Sequence, residues 1–220
     1  MIEEFYTYSK ISWEYLNKIW DLMNFEKMLI GGWAVHLLVN EKLKEIKRKE
    51  YIGSKDIDIF IFEKDLNSIN KILINLEFKK ENNRFYIEID DFKLYIDILT
   101  EKSELDPIIK KAFLENKKIK VDKFFVPYPE FLIASKIWTF QIRGLREKRV
   151  KDLLDLIMLI SFTKYDIDIV KELIKRYKLY VEVIIEEFDI VKDLLEYFNF
   201  SQEEINNIRK ILENNFVNLS

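Results

Sequence analysis

The sequence predicts an α/β fold, a small mixed β-sheet with flanking helices, followed by a C-terminal helical domain. Two observations carry this expectation. Up to Pro127, short apolar runs of strand length alternate with helical patterns, and beyond Pro129 only helical spacing remains. The prolines mark the boundary, because proline suits the first turn of a helix and keeps the residue before it extended. The expected domains are therefore residues 1–127 and 128–220.

Each element has its own signal. Ser9 is placed to cap a first helix in which Ile11, Tyr15, Leu16, Ile19 and Met23 recur on one side. Met28-Leu29-Ile30 is a short apolar run that ends in Gly31-Gly32, and from Trp33 to about Lys44 the pattern is helical, with Ala34, Leu37 and Leu38 inward. Asp56 to Phe62 reads as a strand and Asp65 to Leu76 as an amphipathic helix. Phe85–Ile89 and Phe92–Leu99 form a hairpin across Asp90-Asp91, and Lys118–Val121 with Phe124–Val126 form a second strand pair. Helices follow over Phe131–Ile142, Glu147–Phe162, Asp166–Tyr177 and Val181–Tyr197. The last begins at Ser201, where Glu204 completes a capping box. No internal repeat or low-complexity segment interrupts the chain.

Half of the 220 residues are hydrophobic (49%) and 15% are aromatic, enough to build a core and too apolar for disorder. The net charge of −3 does not make the whole chain a polyanion-binding surface, although 36 Lys and Arg could form a local patch. With no cysteine there are no disulfides, thiolate metal sites or cysteine nucleophiles. The acidic start, Met1-Ile2-Glu3-Glu4-Phe5, lacks the blocks of a signal peptide, and no apolar run is long enough to span a bilayer. A soluble, cytoplasmic protein with no membrane partner is expected.

The chemistry concentrates in a few residues. Only four glycines occur, and two are adjacent at Gly31-Gly32. Ahead of a helix, such a pair lets backbone amides approach phosphate oxygens at the positive end of the helix dipole. In Ser54-Lys55-Asp56-Ile57-Asp58-Ile59 the two aspartates alternate, so on a strand both face one side. Chemistry that uses two divalent ions about 3.5–4 Å apart needs bridging carboxylates on a rigid element, and Mg²⁺ (or Mn²⁺) takes such oxygen ligands. Asp97, in Tyr95-Ile96-Asp97-Ile98-Leu99, is placed to supply a third carboxylate; Glu88 is the runner-up. Asp166-Ile167-Asp168 repeats the tripeptide where a helix should start, and that copy is assigned to capping. Ser54 could donate to the same phosphates, and Lys136, set among apolar residues, could reach a triphosphate as a point charge. Asp152 and Asp155 share one side of a helix, where Asp152 could pair with Lys136. The only histidine, His36, reads as a packed or solvated side chain, and with no second histidine a His-based zinc site is excluded.

Together these residues resemble the DNA polymerase β-like nucleotidyltransferase superfamily, whose pattern is an apolar-Gly-Gly turn, an acid-apolar-acid strand and a third acid on a later strand. More narrowly, Gly31-Gly32-Trp33-Ala34, Ser54-Lys55-Asp56-Ile57-Asp58, Lys136 and Lys151-Asp152-Leu153-Leu154-Asp155-Leu156 match in order the abortive-infection (AbiEii-type) toxin nucleotidyltransferases and their antibiotic-modifying relatives. Many relatives carry arginine where this chain has Ile52, and residues 163–220 match no motif.

The resemblance implies transfer of a nucleoside monophosphate from an NTP to an acceptor hydroxyl, in a cleft closed by the helical domain. Asp56 and Asp58 would ligate both Mg²⁺ ions; Asp97 would ligate the catalytic one and help deprotonate the acceptor. Gly31, Gly32, Ser54 and Lys136 would hold the triphosphate, with Asp152 orienting Lys136 or the acceptor. The acceptor stays open among an RNA 3′ end (tRNA, as in the toxin relatives), a protein side chain and a small molecule. A toxin–antitoxin role would bring a cognate antitoxin as partner. The alternative is a non-catalytic nucleotide-binding or antitoxin-like interaction protein.

Overall fold

The computed structural model describes residues 2–81, 84–104 and 106–217; Met1, at the head of the acidic start, lies outside them. The fold is α/β, with a five-stranded mixed sheet, a two-stranded sheet and many helices. The chain divides into two compact units, one of Met1–His36 with Ile52–Pro127, the other of Leu37–Tyr51 with Tyr128–Ser220.

The first unit opens with α1 (Ile2–Leu22), β1 (Lys27–Ile30) and the start of α2 (Gly31–Lys47), whose remainder belongs to the second unit. β2 (Ile57–Ile61), α3 (Leu66–Asn75), β3 (Lys79–Glu81), β4 (Arg84–Ile89) and β5 (Phe92–Leu99) follow, then α4 (Pro107–Leu114), β6 (Lys118–Val121) and β7 (Phe124–Pro127). The main sheet runs β1-β2-β5-β4-β3, and only β2 and β5 are parallel. Alternation decides its faces: Phe92, Leu94 and Ile96 of β5 are buried, whereas Lys93, Tyr95 and Asp97 are not.

The structure corrects two expectations and adds two elements. Ser9 does not cap the first helix; it lies inside α1 and is buried, as is Ser12, whose hydroxyl accepts from Trp33 Nε1 at 3.0 Å. A tertiary partner, rather than a free helix end, satisfies that second serine. The fourth expected helix is broken into α8 (Glu182–Glu186), a 3₁₀ turn (Phe188–Val191) and α9 (Lys192–Tyr197) after α5 (Pro129–Ile142), α6 (Arg146–Phe162) and α7 (Ile167–Tyr177). The tighter turn eclipses residues three apart, and Phe188 and Val191 are thereby both buried. Finally, β3 and α4 escaped the pattern.

The second unit ends with α10 (Gln202–Phe216), which starts at the expected Ser201/Glu204 capping box. Its centre is the α5–α6 pair. Both helices are buried on almost every side, α5 from Glu130 to Ile137 and α6 from Asp152 to Ile160. Lys136, Asp152 and Asp155 are therefore carried into the interior by apolar neighbours.

The second Asp-Ile-Asp copy is a cap, as expected: the Asp166 carboxylate accepts from the Asp168 amide at 2.9 Å. Replacing Asp166 with alanine should cost about 0.5–2 kcal/mol, read by urea unfolding, and leave Mn²⁺ affinity unchanged. A large loss of Mn²⁺ binding would move the metal assignment to this copy. Among the described residues, no helix is long and apolar enough to cross a membrane.

Candidate active site

β2 starts at Ile57, so Asp56 sits at the bend just before the strand and Asp58 is its second residue. Asp58 aligns with Ile30 of β1 on one side and, in parallel register, with Asp97 of β5 on the other. Residues aligned across neighbouring strands share a face, so the two aspartates stand side by side. The row continues through Arg84 of β4 to Glu81 of β3.

Adjacent carboxylates repel unless a cation intervenes, and Arg84 supplies one. Its Nε donates to Asp97 Oδ1 at 2.5 Å and its Nη2 to Oδ2 at 2.9 Å, a two-pronged contact. The same Nη2 lies 3.5 Å from Asp56 Oδ2. The guanidinium also sits over the Tyr95 ring, 4.3 Å from its centroid. Burial lowers the pKa of Arg84, but the hydrogen bond and charge of Asp97, with the charges of Asp56 and Asp58, outweigh it and raise the value.

The Asp58 carboxylate lies against the first turn of α2. Gly31 has a φ of 65°, and a Cβ added there would fall closer to Asp58 Oδ2 than real Cβ atoms come. Glycine is the residue that meets both conditions. A Cβ on Gly32 would come within 3.1 Å of Ser54 Cβ and 3.3 Å of its hydroxyl. Gly31, Gly32, Ser54, Asp56, Asp58 and Asp97 thus share one neighbourhood in the first unit, beside the positive end of α2.

Lys136 and Asp152 belong to the second unit, where they meet. Lys136 Nζ donates to Asp152 Oδ1 at 3.0 Å and lies 2.7 Å from Asp155 Oδ2; all three residues are buried. Arg143 Nη1 is 2.9 Å from Asp152 Oδ2. Lys151 and the buried Tyr51 hydroxyl both donate to Asp155 Oδ1, and Lys151 Nζ reaches the Tyr51 oxygen at 3.1 Å. Arg143 thus holds Asp152 Oδ2 and Lys136 holds Asp155 Oδ2, each as an ion pair. Burial alone would lower Lys136; Asp155 and Asp152 more than offset it and raise the ammonium above its ordinary value. Burial also dominates at Lys151, which is lowered despite Asp155, with Lys136 adding repulsion. At Asp155 burial pushes the carboxyl up, but Lys136 and Lys151 bring it below the usual range.

Among the described residues, no three His, Cys, Asp or Glu side chains converge as a metal-holding group. The aspartates nevertheless fit a divalent ion in kind. They offer only carboxylate oxygens, and the guanidinium shared by Asp56 and Asp97 shows that both reach a single cation. Glu88 stands apart from them, paired with Lys79 at 3.1 Å and Lys93 at 3.7 Å. His36 packs against Trp13 and Trp33.

The sequence reading missed Arg84, Arg143 and Tyr51, and held Lys151 only as part of the helical motif, with no partner assigned. Arg84 carried a usable signal: counting back through the hairpin from Asp90-Asp91 places it opposite Asp97. Tyr51 carried none, since its partner is 104 positions away.

No protein-family model matches the chain, and no curated protein is recognisably similar in sequence. Among solved structures it is similar to an antigenic nucleotidyltransferase-like protein from Paracoccidioides brasiliensis, with 15% identity and a TM-score of 0.44 over 72% of this chain and 76% of that one. It is also similar to the Megavirus polyadenylate synthase, with 16% identity and a TM-score of 0.43 over 72% of this chain. The chain spans 32% of that viral protein.

Gly31→Ala is expected to cost roughly 1–2 kcal/mol for the left-handed backbone and to displace the Asp58 carboxylate as well. Gly32→Ala, with ordinary backbone and a tight but yielding serine neighbour, should cost less. Chemical unfolding of both variants checks the order, and equal stabilities would remove the special role of Gly31.

Proposed function

We propose that this protein is a metal-dependent nucleotidyltransferase that moves a nucleoside monophosphate from an NTP to an acceptor hydroxyl. The observation that carries this reading is the pairing of Asp58 and Asp97 in parallel register, with the Asp58 carboxylate against the first turn of α2. Two aligned carboxylates at a helix start are costly as packing and useful as a charge site.

In this reading Asp56, Asp58 and Asp97 would hold two Mg²⁺ ions, which would supply Lewis-acid polarisation of phosphate and acceptor oxygens. Asp97 takes the acceptor proton. The Gly31 and Gly32 amides and the Ser54 hydroxyl orient phosphate oxygens at the start of α2. Lys136 is held within the second unit by Asp152 and Asp155, and its role toward the triphosphate rests on the motif resemblance. Release of pyrophosphate completes the transfer. The toxin role, a cognate antitoxin and a tRNA acceptor rest on the motif resemblance.

Incubation with α-labelled NTPs, Mg²⁺ and cellular RNA or protein extract tests the reading. Label should pass to an acceptor, and EDTA should stop it. Absence of labelled RNA, protein and small molecules with every NTP would end it. The Arg84 pair favours one second reading, a nucleotide-binding protein that works without metal. Mn²⁺ should raise the unfolding temperature of an enzyme and leave that of such a binder unmoved.

A further inference from the structure

We propose that Arg84 is an internal counter-ion that competes with divalent metal for Asp97 and Asp56, so that metal binds more tightly once the guanidinium swings away. This rests on the nucleotidyltransferase reading and adds a residue to it. Both prongs of the guanidinium are on Asp97, one on each oxygen, while one of them also reaches toward Asp56. Mg²⁺ demands oxygens at about 2.0–2.1 Å in near-octahedral array. An Asp97 with both oxygens engaged by a planar fork offers a metal only the lone pairs the fork leaves, and does so against the positive charge of the guanidinium beside them.

The charge balance favours exchange over permanent pairing. Three carboxylates, Asp56, Asp58 and Asp97, act on the Arg84 guanidinium, and a dication at the same place would meet them with twice its charge. Arg84 is also free to leave: its side chain is 37% exposed, the Asp56 contact is long at 3.5 Å, and the Tyr95 ring beneath it offers a second resting surface.

A purely structural Arg84 would fix Asp97 for the metal, and the two roles have opposite signs. The full-length protein is titrated with Mn²⁺ alone, without nucleotide, and free Mn²⁺ is read by electron paramagnetic resonance. Arg84→Met, which keeps the bulk over Tyr95 and removes the charge, should bind Mn²⁺ about tenfold more tightly than wild type, the weight of a charge-assisted contact discounted for solvent. Arg84→Lys keeps the charge without the fork and should fall between them. Asp97→Asn should lose binding. Equal or weaker Mn²⁺ binding by folded Arg84→Met overturns the competition while leaving the two-metal reading standing. If Arg84→Met does not fold, affinity in Arg84→Lys no higher than wild type overturns it. Failure of wild type and both Arg84 variants to bind Mn²⁺ overturns the two-metal reading, and the competition with it.

Discussion

Replacing Asp155 with asparagine is expected to lower the stability of the second unit by about 3–5 kcal/mol, the range for removing one partner of a buried ion pair. Asp155 has no exposed surface, and it stands between Lys136 and Lys151 with the Tyr51 hydroxyl on the same oxygen. Three cations, Lys136, Lys151 and Arg143, face two carboxylates. In the variant they face one. Asparagine keeps the shape and offers a weaker acceptor, so the loss is charge rather than volume. Amide hydrogen exchange along α5 and α6 reads the opening free energy of this unit. Exchange unchanged in both helices would show that the cluster is solvated and of little structural weight.

The sign of the pH dependence follows from the direction of the shift. Because the Asp155 carboxyl is lowered in the folded chain, its stabilisation is fully present above the ordinary aspartate value of about 3.9. It is lost as pH falls through the folded value. Lys136 is raised, so its share is complete below the ordinary lysine value and lost only as pH climbs through the raised one. Wild type should therefore lose stability on acidification below about pH 4, and Asp155→Asn should lack that part of the acid limb.

What the sequence made legible is local. The two-residue period of a strand places Asp58 on β2, whereas Asp56, expected on the same strand, sits at the bend before it. The tight Asp90-Asp91 turn set the hairpin register, and with it the opposition of Arg84 and Asp97, which went unread. β3 was invisible because Lys79, Lys80 and Glu81 are all charged and exposed; pairing with β4 alone makes them a strand. α4 had its signal in the Asp106 cap and Pro107 at the first turn, and short length hid it. The Lys136–Asp152 pair was readable from the helix patterns. That Asp155 is an equal partner was not, because it depends on how α5 crosses α6. Distant partners such as Tyr51 are fixed by packing, which no local pattern encodes.

Replacing Asp58 with alanine is expected to abolish nucleotidyl transfer, by roughly a thousandfold or more, since the bound ions supply several kcal/mol of transition-state stabilisation. Folding should be left intact. Two terms oppose each other: alanine relieves the repulsion between Asp58 and Asp97, and it loses a carboxylate at the positive end of α2, worth about 0.3–1 kcal/mol. Arg84 already covers part of the repulsion through Asp97, so the net in metal-free buffer should lie near zero or slightly above wild type. Adding Mn²⁺ separates the two proteins, stabilising wild type and leaving Asp58→Ala behind. Transfer at the wild-type rate on an identified acceptor would end the two-metal assignment. A variant that unfolds instead would make Asp58 a structural acceptor for the α2 turn, and the charge site would then have to be sought without it.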